Sequence, residues 1–167
     1  MGATITFKNL TIGYRSKHQL RAIASSICAS LQADELTCLI GANGVGKSTL
    51  LRTLAGFQPA LDGEILLSGK SLSAFSAQEL ARIIGVVLTS KPDVTQLTVK
   101  EVVGIGRSPY TNFWGTLSSS DHQIVDDAIR QVGILHLASR YIHELSVKLY
   151  PHLLLIKSDA IPIDESR

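Results

Sequence analysis

Gly41-Ala42-Asn43-Gly44-Val45-Gly46-Lys47-Ser48 satisfies the spacing G-x-x-x-x-G-K-[ST] in full. Its glycines let the backbone curl tightly and turn several N–H groups towards one point, where an anion would sit. A helix starting at Lys47 would aim its positive end at the same point. The Lys47 ammonium can then reach the outer oxygens of a polyphosphate, and the Ser48 hydroxyl can ligate Mg2+. Average residue frequencies produce such a match by chance about once in two hundred chains of this length. The flanks fit. Residues 35–40 form a short apolar run that stops at Gly41, as a buried strand would before a glycine turn. From Lys47 the pattern turns helical, with Leu50, Leu51 and Leu54 on one face and Gly56 as the stop. The loop therefore predicts ATP and Mg2+ as ligands. It does not choose between ATPases, small-molecule kinases and GTPases, which share it.

Outward from the loop, residues 4–10 alternate apolar and polar and read as a strand, and residues 19–31 hold a second β-like stretch. Asp62-Gly63 marks a turn and residues 64–68 a strand leaving it. Ser76 with Glu79, and Thr98 with Glu101, have the spacing of a capping box. Residues 118–121 offer a third helix start, after which Ile124, Val125, Ala128, Ile129 and Val132 share one face until Gly133. The apolar run 83–88 reads as a strand between the first two caps. Early β-rich segments followed by mixed β and α imply an α/β sheet with an antiparallel addition.

Bulk properties narrow the function classes. A chain of 167 residues suits one domain or a large piece of one, and 45% hydrophobic content supports a core. A net charge of +2 advertises no basic face, so no nucleic-acid partner is expected. The longest apolar runs are far short of the ~20 residues of a membrane helix, and polar residues by Lys8 argue against a secretory leader. Cys28 and Cys38 fit neither a zinc nor a redox spacing and read as buried thiols; the five histidines form no ligand pattern.

Asn9-Leu10-Thr11-Ile12-Gly13-Tyr14 resembles the opening strand of an ABC-transporter ATPase. The phosphate loop continued by Thr49-Leu50-Leu51, then Leu61-Asp62-Gly63-Glu64-Ile65 and Gly69, is similar to that family's order of motifs. Thr98-Val99-Lys100-Glu101-Val102-Val103 and Gly106-Arg107-Ser108-Pro109-Tyr110 resemble the subfamily serving ferric-siderophore, haem and cobalamin importers. The resemblance implies a P-loop NTPase core with an antiparallel β subdomain and a helical subdomain. It implies that Tyr14 stacks on adenine, where Phe or Trp would serve as well, and that Gly41, Ala42, Asn43, Gly44, Val45, Gly46, Lys47, Ser48 and Thr49 bind the nucleotide. It also implies a cytoplasmic protein, peripheral on the inner face of the membrane. Its partners would be permease subunits, docked near residues 89–110, and a second ATPase subunit.

Two departures stand against the pattern. Thr89 occupies the slot of the family's Q-loop glutamine; its hydroxyl can meet a magnesium-bound water but has a shorter reach than an amide. Gln96, seven residues on, reads as a solvated loop residue. Glu144-Leu145-Ser146 begins the family signature L-S-G-G-Q, and Val147-Lys148-Leu149 breaks it. Pro151 then falls where a helix should run, and Asp164-Glu165 imitates the family's acidic strand end too early. The expected organisation is residues 1–146 as a partial ATP-binding domain, with the Q-loop region and helical subdomain at about 76–146, and 147–167 as a tail foreign to the family. On this reading the chain is a truncated or frameshifted copy, incomplete at its C-terminus, that binds nucleotide without turnover and carries no catalytic residue. The alternatives are a non-catalytic nucleotide-binding remnant and a small-metabolite P-loop kinase. Isolated Arg130 and Arg140 give no sign of the kinase's arginine-rich lid.

Overall fold

The computed structural model describes residues 4–17, 19–87, 96–112 and 114–145. The chain divides into two compact units, Met1–Ile83 and Ile84–Arg167.

The first unit is built on a four-stranded antiparallel sheet in the order β2-β1-β3-β4, from β1 (Ile5–Arg15), β2 (Leu20–Leu31), β3 (Asp62–Leu67) and β4 (Lys70–Ser71). β1 runs five residues beyond the expected strand because bulges let it re-phase. Phe7 is buried, and Asn9 takes a left-handed φ of 49°, which asparagine tolerates better than most residues. The register shifts there, so Leu10 and Ile12 return to the buried face. β3 and β4 join through Ser68 and Gly69, both at positive φ, as a two-residue hairpin turn requires. α1 (Lys47–Leu54) lies against β1 and buries Thr49, Thr53 and Leu54. Ile65, Leu67 and Leu72 complete the buried set. Each Leu or Ile so buried contributes about 1.5–3 kcal/mol.

α2 (Ala77–Ile83) begins as the capping box predicts. The Ser76 N–H donates to Glu79 Oε2 at 2.7 Å, and the Glu79 N–H donates to Ser76 Oγ at 3.2 Å. The bond from the Ser76 N–H, and after it one from the Ser76 hydroxyl, hold the Glu79 carboxyl below its usual pKa.

Two expected strands do not form. Residues 35–40 have no regular structure, and Leu36 and Ile40 are 95% and 89% exposed. Ile83 instead closes α2, and residues 84–87 are irregular. A strand is held by its neighbours, and among the described residues none pairs with either run. Cys28 and Cys38, expected to be buried, are exposed.

The second unit packs α3 (Val99–Ile105) on α4 (Ser119–Gln131). Its core is Val99, Val103, Val125, Ala128, Ile129, Ile134 and Ile142, with Val132 against it, so the predicted face of α4 is the buried one. Both helices start in capping boxes, Thr98 with Glu101 and Ser118 with Asp121. The segment after α4 returns across α3, whose first N–H groups donate to it: Val99 to Arg140 O and Lys100 to Ala138 O, both at 3.0 Å. Arg107 and Asp121 form a buried ion pair, Nε to Oδ1 at 2.7 Å. Gln96 is exposed in a turn.

Candidate nucleotide-binding site

Gly46 is the N-cap of α1 at φ 109°, a conformation L side chains rarely adopt. A Cβ there would also stand 2.8 Å from Ile23 Cγ2, so conformation and space both keep this position to glycine. Gly44, at φ 83°, makes the other reversal. No side chain caps α1. Its first N–H groups lack intrahelical acceptors, and its dipole is positive at this end.

Lys47 is the first residue of α1 and turns back over the loop. Its Nζ donates to Gly41 O at 2.7 Å and Ala42 O at 2.8 Å. An ammonium has three N–H donors, so these bonds fix the side chain across the loop and leave one donor for a ligand. Beside it lies a cleft of ≈ 340 Å³, at the small end of the ~300–1,000 Å³ common for ligand sites. Its charged lining is Arg21 and Lys47, with no carboxylate, and Asn43, Ser48 and Thr49 supply polar groups. Tyr14 and Ile23 form the apolar wall.

Tyr14 is the next-to-last residue of β1, half exposed, and its hydroxyl lies 3.1 Å from the hydroxyl of buried Thr49. Its partner across the β1–β2 ladder is Arg21. Folding thus brings Tyr14, Asn43, Gly44, Gly46, Lys47, Ser48 and Thr49 to one cleft. Gly41 and Ala42 serve it through the carbonyls that hold Lys47, and Val45 keeps its side chain in solvent. Thr89, Ser146, Pro151 and Asp164-Glu165 lie outside the described residues. Sequence reasoning missed Arg21 and Ile23. Their places follow from the hairpin register, and no turn-type signal at residues 16–19 reveals that register.

The donor set suits a polyphosphate. Two cations, a helix N-terminus and hydroxyls converge with no acid to repel it. Among the described residues, no three His, Cys, Asp or Glu side chains are grouped to hold a metal ion. Magnesium in this cleft would take Ser48 Oγ as its protein ligand, with other ligands from phosphate and water.

The sequence matches the family described as ABC transporter over residues 25–148. It is 40% identical over 139 residues to an uncharacterized ABC transporter ATP-binding protein of Haemophilus influenzae (strain ATCC 51907 / DSM 11121 / KW20 / Rd), covering 83% of this chain and 51% of that one. It is 35% identical over 146 residues to the hemin import ATP-binding protein of Enterobacter cloacae, covering 87% and 52%. The chain therefore spans about half the length of these curated relatives. In three dimensions it resembles a nucleotide-free ATP-binding cassette from an ABC transporter, with a TM-score of 0.73, 21% identity and coverage of 93% of this chain and 65% of that one. The fold is that of a P-loop NTPase, represented here by its antiparallel sheet, phosphate-loop helix and helical unit.

Proposed function

The chain belongs to the ABC transporter family, and we propose that it is the nucleotide-binding portion of an ATP-binding subunit for an importer of iron-siderophore, haem or cobalamin-type cargo. The observation that carries the binding activity is the convergence of Lys47, Arg21 and the start of α1 on a cleft without a carboxylate. In this reading the α1 N–H groups and the Lys47 ammonium hold the β- and γ-phosphates, and the Tyr14 ring faces the base. Ser48 Oγ holds Mg2+, which supplies charge neutralisation on the phosphates when bound. The cargo class rests on residues 98–110 and on the hemin-import relative. The partners proposed are a membrane permease and a second ATP-binding subunit, with the protein peripheral on the cytoplasmic face of the membrane. Among the described residues no helix is long and apolar enough to cross a membrane.

Nucleotide binding is the activity proposed for this chain, on the groups that line the cleft: two cations, the start of α1 and the Ser48 hydroxyl. Calorimetry with MgATP tests it. A charge-assisted bond to phosphate is worth about 1.5–3 kcal/mol, so Lys47→Ala should weaken binding at least about tenfold. Equal affinity of the two proteins would overturn the assignment.

A further inference from the structure

We infer that Thr49 is the positioning residue for Tyr14, setting the wall of the cleft that meets the base; the inference rests on the nucleotide reading above. Thr49 is 6% exposed and sits two residues after Lys47 on α1. Its hydroxyl meets Tyr14 Oη at 3.1 Å, so one bond ties the far end of the ring to the helix that carries the phosphate loop. The same turn of α1 is braced from inside, where buried Thr53 donates its hydroxyl to Thr49 O at 2.8 Å.

The near end of the ring is fixed by its backbone. A Cβ at Gly13 would lie 2.1 Å from Arg21 O and 2.9 Å from Ala22 Cα, so β1 and β2 approach there as closely as only glycine permits. Tyr14 follows immediately. With both ends held and the residue 49% exposed, one face of the ring is offered to the cleft. A phenylalanine would keep the face and lose the anchor. Tyr14→Phe is therefore not a neutral change, contrary to the expectation from the aromatic ring alone.

The test compares ATP with inorganic tripolyphosphate, which has the phosphates and no base, by calorimetry on the full chain with Mg2+. Removing one neutral hydrogen bond should weaken ATP roughly two- to tenfold in Thr49→Val and in Tyr14→Phe, and the double variant should lose no more than either. Thr49→Ser, which restores a hydroxyl, should recover most of the affinity. Tripolyphosphate affinity should fall by clearly less than ATP affinity in Thr49→Val, in Tyr14→Phe and in the double variant. Unchanged ATP affinity in Thr49→Val would overturn the inference. So would equal losses for ATP and tripolyphosphate, since the hydroxyl would then serve the phosphates directly. If Lys47→Ala still weakened both probes in that case, the nucleotide reading would stand without the Thr49 role. No binding of ATP by the unsubstituted chain would overturn both.

Discussion

Gly44 and Gly46 both turn the phosphate loop through positive φ, and their surroundings differ. A Cβ at Gly44 would meet nothing within 4 Å, whereas one at Gly46 would press on Ile23. A non-glycine residue held in such a conformation costs roughly 1–3 kcal/mol. Gly44→Ala should incur that strain alone. Gly46→Ala should add the contact with Ile23 at the point where α1 begins, lowering the urea midpoint further and weakening nucleotide binding more. Identical midpoints and affinities for the two variants would rule out Ile23 as a support of the loop. The loop motif was legible in full because its demands are local: φ at two glycines, one ammonium, one hydroxyl. The pairing of Tyr14 with Thr49 was not, because thirty-five residues separate them.

Among the helical elements, α4 is tied to the segment after α3 by the pair Arg107–Asp121. Asp121 does two tasks there. It completes the capping box of α4 with Ser118, and it neutralises an Arg107 that is 8% exposed. The Ser118 hydroxyl, then the Ser118 N–H and the Arg107 guanidinium, hold its carboxyl below the usual range, against the burial that would raise it. Because folding lowers this pKa, the stabilisation is complete above the unfolded value of about 3.9 and is lost as pH falls through the lower folded value. The urea midpoint should therefore fall steeply below about pH 4, and Asp121→Asn should show a lower midpoint at pH 7 with a shallower acid limb. Glu79 and Glu101, whose carboxyls are also lowered by their capping bonds, contribute to the same limb. An acid limb as steep in Asp121→Asn as in the unsubstituted protein would refute the assignment. At pH 7, Arg107→Ala should cost about 3 kcal/mol by leaving a buried carboxylate without its cation. Breaking the exposed Lys100–Asp126 pair should cost under about 1 kcal/mol. The caps were legible because each is a four-residue pattern. Arg107, singled out in sequence only within a family motif, turns out to be an internal ion-pair partner.

For the whole molecule, the telling residues are Leu36 and Ile40, 95% and 89% exposed in the first unit. If residues 35–40 were a buried strand, lysine at either place would cost several kcal/mol, since burying an unpaired charge is expensive. In the observed fold, Leu36→Lys with Ile40→Lys should leave the unfolding free energy from urea titration within about 0.5 kcal/mol of that of the unsubstituted chain. It should also raise the concentration at which the protein stays monodisperse, by removing exposed apolar surface. A large loss of stability would mean that this run is covered in solution. The apolar composition of residues 35–40 and 83–88 marked them as strands, yet composition cannot supply the neighbours that a strand needs. The chain spans about half the length of its curated relatives, and among the described residues only antiparallel partners occur. The sequence by itself determined the phosphate loop, the helix that follows it, two capping boxes, the start of α4 and its buried face, because each is set by contacts within a few residues. Only the tertiary structure decided the rest. It carried β1 through its bulges to Tyr14, set Arg21 and Ile23 beside the loop, joined Tyr14 to Thr49 and left residues 35–40 unpaired. Those outcomes depend on which distant segments come to lie side by side, and no local pattern encodes that.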